Sequence, residues 1–219
     1  AKAASGKPLV VHVHATEFDR TGGTGVNEEV YAIEQEGMKR ADKVVTVSQF
    51  TKNIVVERYG VPADKVAVVH NGIELENKPP LAGRLNQLKA RGERLVLFVG
   101  RITLQKGPDY FLHAARRVLD LEPNVTFVMA GSGDMEGQIV RQAAALGLSD
   151  HFIFAGFLRG AELDALYQAA DLFVMPSVSE PFGLTPLEAI ANGTPVLLSR
   201  QSGVSEVVRH ALKVDFWDV

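Results

Sequence analysis

The chain has 219 residues, 46% of them hydrophobic, and a formal net charge of −3. This composition suffices for the core of one or two α/β domains, and the charge argues against binding nucleic acid through bulk electrostatics. The absence of cysteine excludes disulfides, thiolate metal ligands and cysteine nucleophiles, and the apolar runs are too short for a transmembrane segment, so we expect a cytoplasmic protein.

Strand-like apolar segments alternate with helical patterns along the whole chain. The predicted strands lie at 9–14, 43–47, 65–69, 94–99, 124–130, 151–155, 171–176 and 195–199. The predicted helices lie at 26–40, 49–59, 107–120, 134–146, 160–169, 183–192 and 203–210. Segments such as "RLVLFVG" and "NVTFVMAG" are apolar on both faces, which is typical of a buried parallel sheet. The alternation therefore predicts an α/β fold of right-handed βαβ units.

The first predicted strand carries two histidines on one face. In "VVHVHATEFDRTGG" we expect His12 to be buried and hydrogen-bonded within the strand, while His14 lies at its carboxyl end. At that position His14 is a candidate hydrogen-bond donor or proton carrier that faces a crevice.

A polar segment at 71–93 interrupts the alternation. It contains Asn-Gly, Pro-Pro and Gly-Arg and few apolar residues, which is a linker pattern. We therefore predict a boundary near residue 78, between domains at 1–78 and 79–219. Fewer strands precede the boundary than follow it, and the chain neither begins with Met nor ends in a closing helix. These features predict an internal portion of a longer chain, truncated at both ends.

A cationic loop follows the predicted strand at 94–99. In "GRITLQKGPDY", Arg101 and Lys106 lead into the next helix. Ligands of open parallel sheets bind outside the carboxyl ends of the strands, and two cations beside free helix N–H groups form an anion site. A diphosphate is the expected occupant, and the alternative is a pair of solvated surface charges. The loop is not a Walker A motif, because Gly107 follows the lysine.

A glycine-rich turn follows the fifth predicted strand. "GSGDMEG" places Gly131, Gly133 and Gly137 one residue away from the dinucleotide fingerprint, and Gly156 and Phe157 stand where an acid would bind the ribose of NAD. We therefore expect a tight turn that lets a flat ligand approach the backbone, with a plain strand–helix turn as the alternative.

The segment "SEPFGLTPLEA", residues 179–189, carries two carboxylates around a helix start. Glu180 lies in the loop after the strand at 171–176, and the helix opens at Gly183, Leu184 and Thr185. Free N–H groups at this start would supplement the cationic loop in binding a phosphate.

Glu188 lies one turn after Leu184, and we expect it on the buried stripe that Leu184, Leu187 and Ala191 form. A carboxylate on a packed face needs a partner, and the vicinal hydroxyls of a ribose would provide one. Glu180 is then expected beyond the phosphates, beside an attached sugar. The alternatives are a Glu188 paired with Lys or Arg and a solvated Glu180.

Together these segments resemble the retaining glycosyltransferases of family four. The resemblance is carried by E-x7-E after a strand, the "GR…KG" loop, "ADLFVMPS", "NGTPVLLS" and "HNGIE", and "HVHATEFDRTGG" is similar to the glycogen and starch synthase branch. It implies the GT-B architecture, in which two Rossmann-like domains face each other across a cleft. Residues 1–78 would then be a partial acceptor-side domain and residues 79–219 the nucleotide-sugar-binding domain.

The resemblance also implies a role for each candidate residue. Arg101 and Lys106 bind the diphosphate and stabilise the departing nucleotide. Glu188 holds the ribose, and Glu180 and His14 contact the transferred sugar. The remaining donor-binding positions, which act in part through their backbone, are Gly183, Leu184, Thr185, Gly131, Phe157 and Leu158.

By this resemblance the protein moves a hexose from a nucleotide-diphosphate sugar, UDP- or ADP-hexose, to a carbohydrate acceptor with retention. A glucan is one candidate acceptor. Cationic side chains and helix dipoles can neutralise the diphosphate, and no Asp-x-Asp occurs, so we expect neither a metal nor a cofactor.

Two departures from the family pattern and three alternative functions remain. The glycine-rich first unit of the family and its crossing carboxyl-terminal helix are missing, so we expect this piece to bind nucleotide weakly and to turn over poorly. A sugar-nucleotide epimerase on the same fold and a non-catalytic nucleotide-sugar binding module stay open. An NAD-linked oxidoreductase ranks last, because the ribose-binding acid is missing.

Overall fold

Each half of the described chain forms a parallel sheet flanked by helices. A computed structural model of the protein describes residues 2–23, 25–74 and 92–218. The strands are β1 (Val10–Val13), β2 (Lys43–Thr46), β3 (Val66–Val68), β4 (Arg94–Val99), β5 (Val125–Ala130), β6 (Phe152–Gly156), β7 (Leu172–Met175), β8 (Val196–Ser199) and β9 (Leu212–Val214). The helices are α1 (Lys2–Ser5), α2 (Glu17–Arg20), α3 (Glu28–Arg40), α4 (Gln49–Tyr59), α5 (Pro108–Leu119), α6 (Glu136–Ala145), α7 (Ala161–Ala169), α8 (Thr185–Ala191) and α9 (Val204–Val207), and 3-10 turns lie at Ala63–Lys65 and Leu104–Lys106.

Both sheets are parallel throughout. The first has the order β1-β2-β3 and the second the order β6-β5-β4-β7-β8-β9. Every residue of β5 is buried, because helices cover both faces of the second sheet and an apolar cluster lies on each face. The predicted α/β fold with two Rossmann-like domains is confirmed.

The strand order of the second sheet reverses beside β4. The chain runs from β4 outward through β5 and β6, then returns to the other side of β4 and continues through β7, β8 and β9. Ligands of open α/β sheets bind at such a switch point, outside the carboxyl ends of the strands. The loops after β4 and β7 are therefore the ones that the topology places at a site.

Capping and backbone geometry fix where helices α4 and α5 begin. Ser48 caps α4, since its hydroxyl accepts a hydrogen bond from the Thr51 N–H at 2.9 Å. At Gly107 the backbone is left-handed, with φ 63°, and Pro108 follows in the first turn of α5. A β-carbon at Gly107 would collide with the carbonyl oxygen of Pro176 after β7, so only glycine allows these two loops to meet.

The end of the described chain differs from the prediction. The helix predicted at 203–210 is only α9, Val204–Val207, and a ninth strand follows it. β9 pairs in register with β8, Leu197 opposite Leu212, but it is short and half exposed, so its sequence carries little apolar pattern. The short helices α1 and α2 were not predicted either. The boundary predicted near residue 78 lies outside the described residues.

In the described parts of the chain, no helix combines the length and apolarity needed to span a bilayer.

Candidate active site

The loops after β4 and β7 meet through a salt bridge between Lys106 and Glu180. The Lys106 ammonium contacts Glu180 Oε2, and the Ser177 hydroxyl lies 3.5 Å from the same oxygen. Glu180 is only 7% exposed, although a loop carboxylate is usually solvated. The solvated alternative for Glu180 is therefore wrong. The lysine predicted to hold an anion is paired here with a carboxylate of the protein.

Gly183 packs against Glu180 of this salt bridge. Its φ of 97° requires glycine, and a β-carbon there would approach Glu180 Cγ to 3.1 Å and Met175 Sδ to 3.2 Å. Helix α8 begins two residues later, at Thr185, with Pro186 in its first turn and without a side-chain cap. The segment that leads into α8 therefore packs against Glu180.

Arg101 is held separately from Lys106. Its side chain is exposed, and Nη2 lies 3.4 Å from Gln105 Oε1. Arg101 lines a cavity of about 470 Å³ together with Gly131, Phe157 and Leu158. The positions predicted to contact the base thus share one cavity with one of the two predicted diphosphate-binding cations.

Gly131 and Phe157 contribute to the cavity in different ways. A β-carbon at Gly131 would collide with the carbonyl oxygen of Gly100, so the close approach of β4 to β5 accounts for this glycine. The side chain of Phe157 is 71% exposed at the rim and offers a flat apolar surface to a planar ligand.

Glu188 has a protein partner that the sequence did not reveal. The hydroxyl of Tyr167, a residue of α7 that is 1% exposed, donates to Glu188 Oε2 at 3.0 Å. Burial, and then the neighbouring Glu188 carboxylate, raise the pKa of Tyr167 well above its ordinary value. Tyr167 therefore keeps its proton and fixes the direction of this carboxylate. Among the described residues no ion pair of Glu188 with Lys or Arg, the alternative to a ribose partner, is found.

The buried stripe predicted for α8 is wrong. Leu184 is 40% exposed and Ala191 is exposed, whereas Pro186 and Ala189 are the buried positions. The helix begins two residues later than predicted, at Thr185, and Leu187 is the member of the predicted stripe that packs, partly buried, against the core. Glu188 is half-buried at the edge of the packed face and reaches Tyr167.

His14 follows β1 in the first half of the chain. The rings of His12 and His14 lie 4.1 Å apart, so the two histidines share one face as predicted. His12 is exposed, as are Val10 and His14 on the same face of β1, which corrects the prediction of a buried residue. Both line a cavity of about 360 Å³ with Thr16, Arg20 and Glu34.

This cavity has a charged wall. The Arg20 guanidinium pairs with Glu34 and lies 3.3 Å from Glu17 Oε2. Burial alone would lower the pKa of Arg20, but the two carboxylates raise it above its ordinary value. Within the described ranges, no hydrogen bond or ion pair joins His14 to Glu180 or Lys106.

The two halves contact each other beside Glu180. The hydroxyls of Ser48 and Thr51 donate to the Pro181 carbonyl oxygen at 2.5 and 3.2 Å. Glu206 accepts hydrogen bonds from the Gln49 and Phe50 N–H groups at the start of α4, at 2.9 and 2.6 Å. The loop between β7 and α8 is thus bound from the first half of the chain.

Family models cover both halves of this arrangement. Residues 84–213 match the model described as glycosyl transferases group 1, and residues 1–77 match that of glycosyltransferase family 4. The chain belongs to the group 1 glycosyltransferases. Its GT-B fold follows from the two parallel sheets together with the solved structures that it resembles.

Several curated glycosyltransferases are similar over most of the chain. An uncharacterised glycosyltransferase of Methanocaldococcus jannaschii is 37% identical over 212 residues, which cover 93% of this chain and 54% of the relative. The glycogen synthase of Mycobacterium tuberculosis is 33% identical, with 92% and 48% covered. The D-inositol 3-phosphate glycosyltransferase of Salinispora arenicola is 34% identical, with 80% and 43% covered. The chain thus spans about half the length of the curated relatives it matches.

Among solved structures, HepE of Anabaena in complex with UDP-glucose has a TM-score of 0.82 at 22% identity, covering 98% of this chain and 60% of HepE. The sucrose-phosphate synthase of Thermosynechococcus elongatus has a TM-score of 0.78 at 24% identity, covering 95% and 55%. At these identities the similarity concerns the fold.

Proposed function

We propose that the intact protein transfers a hexose from a nucleotide-diphosphate sugar to a carbohydrate acceptor with retention. The observation that carries the proposal is the meeting of Lys106 and Glu180 at the switch point of the second sheet, beside the 470 Å³ cavity that Arg101 lines. A diphosphate requires a cation, a sugar requires a hydrogen-bond acceptor such as a buried carboxylate, and a base requires a flat apolar surface. The site offers these three features next to one another.

The donor would lie along these three surfaces. The base packs against Phe157 and the backbone at Gly131 and Leu158, and the ribose hydroxyls donate to Glu188. The orientation of Glu188 by Tyr167 supports this role, because a carboxylate held by one donor keeps its other oxygen available. The diphosphate occupies the space between Arg101, Lys106 and the start of α8, where Gly183, Leu184 and Thr185 contribute N–H groups.

The transfer step develops negative charge on the diphosphate. The bond between the sugar C1 and the diphosphate oxygen breaks, and the diphosphate departs with the electron pair. The acceptor hydroxyl forms the new bond to C1 and gives its proton to the departing diphosphate. Arg101 and Lys106 stabilise that charge without a metal ion, and Glu180 and His14 position the sugar.

The choice of donor and acceptor rests on the relatives. HepE was solved with UDP-glucose, which supports a UDP-hexose, and an ADP-hexose is the second candidate. The glycogen synthase of M. tuberculosis supports a glucan as acceptor. Retention is proposed from the resemblance to family four.

The test uses the full-length protein with UDP-, ADP- and GDP-hexoses. We expect one nucleotide class to raise the melting temperature and to be consumed only when an acceptor is added. Lys106→Ala should abolish the shift. Arg116→Ala, which removes a cation of α5 that pairs with Asp120 just after the helix, should retain it. Isomerised donor without acceptor would instead indicate an epimerase, and no shift with any nucleotide would overturn the proposal.

A further inference from the structure

Asp19 is a fully buried carboxylate at the contact between the two halves of the protein. It is 0% exposed, and both of its oxygens accept hydrogen bonds. Oδ2 accepts from the Thr16 N–H at 2.7 Å and from the Thr16 hydroxyl at 2.8 Å, and Oδ1 accepts from the Ser179 hydroxyl at 2.7 Å. A buried carboxylate is stable only with such partners. The two oxygens of Asp19 therefore bind two different segments of the protein.

Each of these segments carries a proposed sugar-contacting side chain. Thr16 is two residues after His14, at the start of α2. Ser179 directly precedes Glu180, in the loop after β7. Asp19 is thus a direct link, through one carboxylate, between the backbone segments of His14 and Glu180.

The loop around Glu180 already has its local shape from its own half of the chain. The Glu180 N–H donates to the Gln201 carbonyl oxygen at 2.9 Å, and the Gly203 N–H donates to the Glu180 carbonyl oxygen at 2.9 Å. Gln105 binds the neighbouring Ser179 carbonyl oxygen through its amide at 3.0 Å. These bonds do not fix where Glu180 lies relative to the first half of the chain. That position depends on the hydrogen bonds that cross between the halves.

We infer that Asp19 is a positioning residue that sets the distance between Glu180 and His14. The inference rests on the proposed function, in which both side chains contact the transferred sugar. A displacement of about 1 Å in such a pair lowers turnover by up to about 10²-fold, because the transition state needs both contacts at once. The bond from Ser179 to Asp19 fixes the residue before Glu180, and the bonds from Ser48 and Thr51 to the Pro181 carbonyl oxygen fix the residue after it.

Ser179→Ala is the sharpest test, because it removes the crossing bond and leaves the bonds between Asp19 and Thr16 intact. Ser205→Ala is the matched control, since its hydroxyl bonds the Ser202 carbonyl oxygen within one half at 2.6 Å. In the full-length protein we expect Ser179→Ala to lower the kcat of UDP release from UDP-glucose plus acceptor about tenfold, with the KM for UDP-glucose nearly unchanged. The control should resemble the wild type.

A second measurement is independent of activity. Spin labels at Glu57→Cys on α4 and Glu162→Cys on α7, both exposed positions, report the distance between the halves, since residues 1–219 contain no other cysteine and any cysteine elsewhere in the full-length protein is replaced by serine. Ser179→Ala and Asp19→Ala should each broaden this distance distribution, and Ser205→Ala should not. Asp19→Ala removes the bond to Ser179 together with both bonds to Thr16, so adding Ser179→Ala to it should cause no further loss of kcat.

An unchanged kcat in Ser179→Ala overturns the inference, even if the distance changes. Losses that multiply in the double variant also overturn it, because the two residues would then act separately. A wild-type protein that releases nucleotide from no tested sugar refutes the proposed function instead. In that case the spin-label distance decides whether Asp19 links the two halves.

Discussion

Lys106 and Glu180, 74 residues apart in the sequence, form a salt bridge in which the side chains are 21% and 9% exposed. The pair joins the loops after β4 and β7 at the point where the strand order of the second sheet reverses. Lys106 is thereby positioned to bind an anion. A diphosphate that displaces the Glu180 carboxylate can pair with the same ammonium group, so no other cation is needed.

Replacing Glu180 by Gln separates binding from turnover. The amide removes a negative charge next to the proposed diphosphate position, so UDP should bind more tightly than to the wild type. Turnover should fall by about 10² or more, because the carboxylate no longer faces the transferred sugar. Titration calorimetry with UDP and a transfer assay measure the two effects. Weaker UDP binding would contradict a placement of the diphosphate next to Glu180.

The same pair predicts a change in stability. Lys106→Met leaves Glu180 as a buried carboxylate without its cation, which should lower the free energy of unfolding by about 3 kcal/mol. Adding Glu180→Gln should restore much of this loss, because the remaining group is neutral. Urea unfolding of both variants and of the wild type checks the expectation. A double variant no more stable than Lys106→Met would mean that the pair is not coupled.

Tyr167→Phe tests the orientation of Glu188. The variant keeps the buried ring and removes only the hydroxyl that donates to Glu188, so UDP affinity should fall about fivefold, the value of one hydrogen bond. Tyr110→Phe on α5 is a matched control that does not contact Glu188. Equal UDP affinity in Tyr167→Phe and the wild type would show that Glu188 does not need this partner.

Tyr167 also predicts how stability responds to alkaline pH. Burial and Glu188 raise its pKa in the folded state, so the native protein keeps a proton that the unfolded chain releases above about pH 10. Its contribution to stability is therefore complete below pH 10 and is lost as the pH rises further. The stability difference between the wild type and Tyr167→Phe should shrink from pH 8 to pH 10.5 in urea unfolding. A constant difference would contradict the raised pKa.

A substitution at Gly203 tests the contact between the two halves through a steric clash alone. Its φ of −67° suits any residue, but an added β-carbon would collide with Ser48 and with the Pro181 carbonyl oxygen. Gly203→Ala should therefore push α4 away from the Glu180 loop and lower both transfer activity and melting temperature. Gly37→Ala in α3, where no heavy atom lies within 4 Å, should instead stabilise the protein by about 0.5–1 kcal/mol. Wild-type activity in Gly203→Ala would show that this contact is dispensable.

The sequence predicted the fold of the second half closely because its pattern is local. Every predicted strand is found within two residues, since apolar runs such as that of β5 are buried on both faces and glycine or proline marks their ends. The cationic loop and Glu180 were recognised because they follow strands, and parallel strands bring their carboxyl ends to one edge. β9 was missed because three half-exposed residues carry no such pattern.

The partners of the site residues depended on packing between elements far apart in the sequence. Nothing in the sequence around Tyr167 on α7 or Asp19 on α2 marks them as special. The docking of α7 against α8 and of the first half against the second gives them Glu188 and Ser179 as partners. The start of α8 at Thr185, which leaves Leu184 exposed before the helix, is likewise set by its neighbours. Residue types and their order along the chain thus determined which groups lie at the strand ends. Tertiary packing decided which of those groups are in contact. Hydrogen bonds and ion pairs require side chains within a few ångströms of each other, and a local sequence pattern does not specify the distance between elements far apart in the chain.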